Sequence, residues 1–204
     1  MRVVERCGLA LVLGAIPPII GLLAGWWGTA AVLPERGVAI AALCGLVAGL
    51  VVDALFLRRA MAWADAAPYW LWGAVYLFYS IGAFGFLMGV PILVAVLGLP
   101  AGILLGGRLA RQGATAEQVR GTARHASAFT AAVLAIACTA SATIALLDPY
   151  TAGNLEGMLG LSFDVTTPMI VALVIIGGAG LLALQWVLTG AAVRWSHARL
   201  SREE

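Results

Sequence analysis

Along this 204-residue chain, apolar residues run in long unbroken blocks, and nearly all the charge sits in the short clusters between them. The longest block, Ala66 to Gly107, contains no charged residue. As one straight helix it would be about 63 Å long, roughly twice the ~30 Å hydrocarbon core of a bilayer. It must therefore cross twice, or cross once and dip back. The blocks predict six spans, at 7–28, 38–57, 69–88, 91–107, 126–147 and 168–193, with a turn near Gly89-Val90-Pro91. The expected fold is an all-α polytopic integral membrane helix bundle, a single membrane domain over residues 1–204.

The arginines decide parity. With six spans, every arginine except Arg36 falls on one side, together with both termini. Five spans would carry the arginines from Arg108 to Arg124, and those at the C-terminus, to the opposite side. The positive-inside rule selects even parity and cytoplasmic termini. A re-entrant 91–107 segment, suggested by Gly98, Pro100 and Gly102, keeps the same parity and stands as the alternative. Residues 108–125 then form a cytoplasmic loop and 148–167 an external one.

Local signals refine this outline. MRVVER followed by an apolar run resembles a signal peptide, yet the run is longer than a usual h-region and holds Pro17-Pro18 and Trp26-Trp27. It reads as a retained first helix, kinked or broken where the proline pair removes two backbone donors. In the second span Gly37, Ala41, Gly45, Gly49 and Asp53 recur every four residues, a spacing that lets another helix approach closely. Thr115 and Gln118 fit a capping box opening a short surface helix. Leu155, Met158 and Leu159 suggest a short helix on the outer interface, and Thr167-Pro168 reads as N-cap and first residue of the sixth span.

Composition narrows the function classes. The chain is 62% hydrophobic and 11% charged, whereas soluble domains carry about 25% charge, so a soluble fold is excluded. The lipid bilayer is its medium, and the cell (inner) membrane its expected multi-pass location. A formal charge of +2 with no basic run argues against a nucleic-acid partner. Cys7, Cys44 and Cys138 are isolated and read as packing residues. His125 and His197 have no companions at ligand spacing, so no metal site is expected. The chain contains no HExxH, no GxSxG and no phosphate-binding Gly-rich loop, so neither a cofactor nor enzymatic activity is expected.

Three features carry candidate chemistry. Asp53 is the one ionisable residue inside a span, and intramembrane carboxylates mark ion or proton sites by default. Pro17, Pro18 and Gly21 in the first span, and Pro100 and Gly102 in the fourth, mark two Pro-containing spans whose interrupted helices would hold a site. An offset of 82 pairs Pro18 with Pro100, Leu22 with Leu104 and Gly25 with Gly107. Inverted three-span repeats with interrupted helices in matching places point to a transporter site. Tyr76 and Tyr79 lie deep in the third span with hydroxyls that need partners, either along a polar path or on neighbouring helices. These eight residues support a permease- or channel-like transporter of a small solute or ion. The alternative is a non-catalytic subunit or homo-oligomer packing through Gly45/Gly49, Gly82/Gly85/Gly89 or Gly177/Gly178. A membrane enzyme built on Asp148, Glu156 and Asp164 of the outer loop ranks third.

Overall fold

A computed structural model describes residues 3–64, 66–87, 89–160 and 162–201. Helix accounts for 85% of the chain, with no strand among the described residues. Arg2 and Arg202, placed on the arginine-rich side, lie outside the described residues, as do Met88, expected to close the third span, and the side chain of Leu159. The chain forms two compact units, Met1–Pro68 and Tyr69–Glu204.

The first unit holds α1 (Val3–Gly14), α2 (Ile16–Thr29) and α3 (Glu35–Trp63). The interruption expected from the proline pair falls at Ala15, one turn or less before it. Ala15 N–H still donates to Leu11 and Ile19 N–H to Ala15, so the gap is narrow. Pro17 and Pro18 lack the N–H groups that the carbonyls of Leu13 and Gly14 would otherwise meet. Antiparallel to α2, α3 packs with backbone touching backbone. A Cβ on Gly21 would run into the Gly45 carbonyl, one on Gly25 into Ala41, and one on Gly49 into Pro17. The four-residue spacing along α3 is thus consumed inside the chain. Most other α3 side chains, such as Ile40, Val47 and Leu55, point outward.

The second unit holds α4 (Tyr69–Phe86), α5 (Ile92–Arg111), α6 (Ala116–Leu147), α7 (Thr151–Leu159) and α8 (Thr167–Leu200). A turn through Gly89, whose φ of +88° only glycine adopts freely, folds α4 back on α5. The pairs Tyr69–Arg108 at one end and Phe84 with Val94 and Ala95 at the other show the two helices to be antiparallel. Successive glycines of α5, Gly98, Gly102 and Gly106, meet successive residues of α8, Thr189, Ala192 and Val193, so α5 and α8 run parallel. Running the opposite way, α6 puts Ala123 with Val193 and Thr130 beside Thr189. One end of this unit therefore collects Arg108, Arg111, Arg120, Arg124 and Arg194, while Asp148, Glu156 and Asp164 lie beyond the other ends of its helices.

Several expectations are corrected. Residues 108–125 are not a loop: α5 runs on to Arg111 and α6 starts at Ala116. The capping box at Thr115 is formed with Gln118, but it opens the 32-residue α6 rather than a separate surface helix. Reciprocal bonding of two end N–H groups is enough to start a helix that the following apolar residues continue. Thr166, not Thr167, is the N-cap of α8, and its side chain makes no capping bond. Pro100 does not break its helix; α5 is continuous across it.

Five described helical segments have the length and apolarity to cross a membrane: Cys7–Thr29, Glu35–Trp63, Ile92–Arg111, Ala116–Leu147 and Thr167–Leu200. The first joins α1 and α2. The expected third span, α4, is an 18-residue helix whose tyrosines, tryptophans, serine and glycines dilute its apolarity, and it is not among the five.

Candidate functional site

In the first unit the intramembrane carboxylate lands on the helix interruption. A Cβ built on Gly14 would stand 3.1 and 3.3 Å from the two Asp53 carboxylate oxygens. Asp53 is half-buried, and among the described residues it makes no hydrogen bond or ion pair. It thus faces the short stretch where Leu13 and Gly14 lose their helical donors. A carboxylate is a hard oxygen ligand of the kind that takes a proton or a small cation. Pro17, Pro18 and Gly21 belong to the same place but act through backbone: Pro17 and Pro18 abut Gly49, and Gly21 abuts Gly45.

Pro100, Gly102, Tyr76 and Tyr79 lie in the second unit. Pro100 is exposed, whereas Pro18 is buried, so the two prolines paired by the offset hold different environments. Their helices also differ in partner: α2 packs on the next span, α3, but α5 packs chiefly on α8. Gly102 is closed against Ala192 and the Thr189 backbone. Tyr79 is half-buried with its ring 5.4 Å from Phe78. The buried Tyr76 hydroxyl accepts from Gln185 Nε2 of α8.

That bond is one end of a buried polar seam. Thr189 shares a 3.2 Å hydroxyl contact with Thr130, whose hydroxyl also lies 3.2 Å from the Ser127 carbonyl. The Ser127 hydroxyl donates to the Trp186 carbonyl at 3.1 Å, and Ser196 to the Ile103 carbonyl at 2.9 Å. The Gln185 amide is wholly buried, and its Oε1 accepts no bond. Of these residues only Tyr76 was a sequence candidate. The overlooked signal is periodic: Gln185, Thr189 and Ser196 share one face of α8, and Gly98, Gly102 and Gly106 share one face of α5.

Elsewhere the polar groups serve locally. Thr139 and Thr143 hydroxyls bond back to their own helix, while Ser141 reaches the Gly89 carbonyl. In the outer loop Asp148 accepts from the Tyr150 N–H at 2.9 Å and Glu156 from the Val165 N–H at 2.6 Å, so two of the three acids tie down backbone. No group of three His, Cys, Asp or Glu side chains gathers at ligand distance among the described residues. Of the free cysteines only Cys138 packs against the core; Cys7 and Cys44 are exposed.

The fold and its apolar helices define a multi-pass membrane protein. No protein-family model, curated protein or solved structure matches the chain.

Proposed function

We propose that this protein is a small permease- or channel-like transporter that crosses the cell membrane six times, with cytoplasmic termini and α4 and α5 as third and fourth spans. The topology is supported by the alternating directions of α4, α5, α6 and α8 and by the arginines gathered at one end of the second unit. A single observation carries the transport reading: Asp53 stands against Gly14 where the proline pair interrupts α1 and α2. A carboxylate inside a span costs a few kcal/mol, about 2.5–3.5 on insertion scales, which a cation or proton relay explains. Irregular backbone at that depth is tolerated where it is buried in protein or lines a cavity.

Proteoliposomes loaded with a pH-sensitive dye and held under a potassium-diffusion potential test this. The wild-type chain should pass protons or monovalent cations above protein-free vesicles. Asp53→Asn should lower the flux at least about tenfold, the loss of one essential charge-bearing group, and Asp53→Glu should retain part of it. Equal flux from Asp53→Asn would remove the carboxylate from the mechanism, and no wild-type flux would remove the transport reading.

A second reading, assembly with another membrane subunit or a further copy, has its own support. Space around Gly82 and Gly85 of α4, and around Gly177, Gly178 and Gly180 of α8, is open, so these faces are not used inside the chain. The Gly45/Gly49 face is withdrawn from that role, since α2 covers it. A stoichiometric partner retained through purification in mild detergent would favour assembly over transport by a lone chain.

A further inference from the structure

At the arginine-bearing end of the second unit, α6 and α8 line a groove of about 440 Å³. Its walls come from Arg120, Arg124 and Ser127 of α6 and from Trp186, Gly190 and Arg194 of α8. Gly190 leaves the space open: a Cβ there would stand 3.1 Å from the Ser127 hydroxyl and 3.8 Å from an Arg194 guanidinium nitrogen. Ala123 and Ser127 of the lining are buried, Trp186 is half-exposed, and the three arginines are exposed. Among the described residues no carboxylate pairs with any of the three. Three like charges around one cavity repel each other and favour an anion between them.

The position along the helices says which anion. With 32 and 34 residues, α6 and α8 are about 48 and 51 Å long, well beyond the ~30 Å hydrocarbon core. Arg120 and Arg124 lie in the first turns of α6 and Arg194 in the last turns of α8, so both helices leave the hydrocarbon at this end. Trp186 lies about two turns before Arg194, and tryptophan is enriched near the ends of membrane spans. Guanidinium forks match phosphate oxygens two at a time. We propose that the α6–α8 groove binds the phosphate headgroup of an anionic membrane phospholipid, its acyl chains lying beside Trp186 and Val187. The site is independent of the transport reading, since it uses neither Asp53 nor the helix interruption.

Native mass spectrometry of the full chain in neutral detergent, titrated with phosphatidylglycerol, phosphatidylcholine or glycerol 3-phosphate, tests the site. Phosphatidylglycerol should bind more tightly than phosphatidylcholine. Arg120→Gln, Arg124→Gln and Arg194→Gln should each raise its apparent Kd about fivefold, and the Arg124→Gln/Arg194→Gln pair about 25-fold. Arg199→Gln, at the same end with its guanidinium on the Trp195 ring, should leave the Kd unchanged. Wild-type affinity in the double variant would overturn the site. Displacement of phosphatidylglycerol by equimolar glycerol 3-phosphate would overturn the lipid assignment in favour of a soluble phosphate.

Discussion

Two helix pairs in this protein are built on the same four-residue glycine spacing and put it to different use. Between α2 and α3 the glycines of one helix meet the backbone of the other, with Gly21 on Gly45 and Gly49 on Pro17. Between α5 and α8 a close backbone approach recurs at Gly102 and Gly106, on the Thr189 and Val193 carbonyls, but Gly98 receives side chains, the Thr189 hydroxyl and the Gln185 stem. The first pair gains only close approach and dispersion, the main attraction available where lipid removes the hydrophobic driving force between helices. The second also withdraws an amide and several hydroxyls from lipid. Small-residue spacing by itself therefore signals contact but does not say whether the contact is bare or polar.

The sharpest way to break this comparison is the same substitution made in both pairs. In Gly45→Ala the new methyl meets the Gly21 carbonyl, which cannot move without displacing α2, and a loss of about 3 kcal/mol is expected. In Gly98→Ala it meets first the Thr189 hydroxyl, which can rotate away, so about 1–2 kcal/mol is expected. Reversible unfolding in mixed micelles should rank the two variants in that order; an inverted order would show that α5 and α8 are the more rigid pair.

A double-mutant cycle sharpens the polar half. Tyr76→Phe and Gln185→Leu should show a coupling of about 0.6–1.7 kcal/mol, the range for interhelical hydrogen bonds in membranes. Zero coupling would mean that the amide serves space-filling alone. The smallest effect is expected where glycine faces nothing: Gly177→Ala should change stability by no more than about 1 kcal/mol, in the stabilising direction from reduced backbone freedom. A large loss there, accompanied by a change in oligomeric state, would instead identify that face as an assembly contact.

Much of the architecture was legible in the sequence. Block lengths located the apolar helices, because a bilayer demands a minimum run of apolar residues whatever they pack against. The spacing of Ala41, Gly45 and Gly49 announced a close helix contact, and the Thr115–Gln118 pair announced a helix start. Where helix boundaries depart from the apolar pattern, charge is the reason. Arg108, Arg120 and Arg124 read as loop because they end the apolar pattern, yet arginine is a good helix former and continues α5 and α6 past the hydrocarbon.

The site was legible only in part. Asp53 was conspicuous as a charge within an apolar run, but that it meets Gly14 followed from the antiparallel packing of α1 on α3. Pro18 and Pro100 look equivalent in sequence, since composition cannot tell a buried proline from one turned outward. Gln185 and its hydroxyl partners are inconspicuous in the sequence because each is a single polar residue in a long apolar helix. Only the parallel alignment of α5 and α8 shows them to be one seam. Local rules such as hydropathy, capping and charge placement act within a helix and can be read from the chain itself. Which face of one helix meets which face of another depends on complementary shape between distant segments, and that was settled by the tertiary structure.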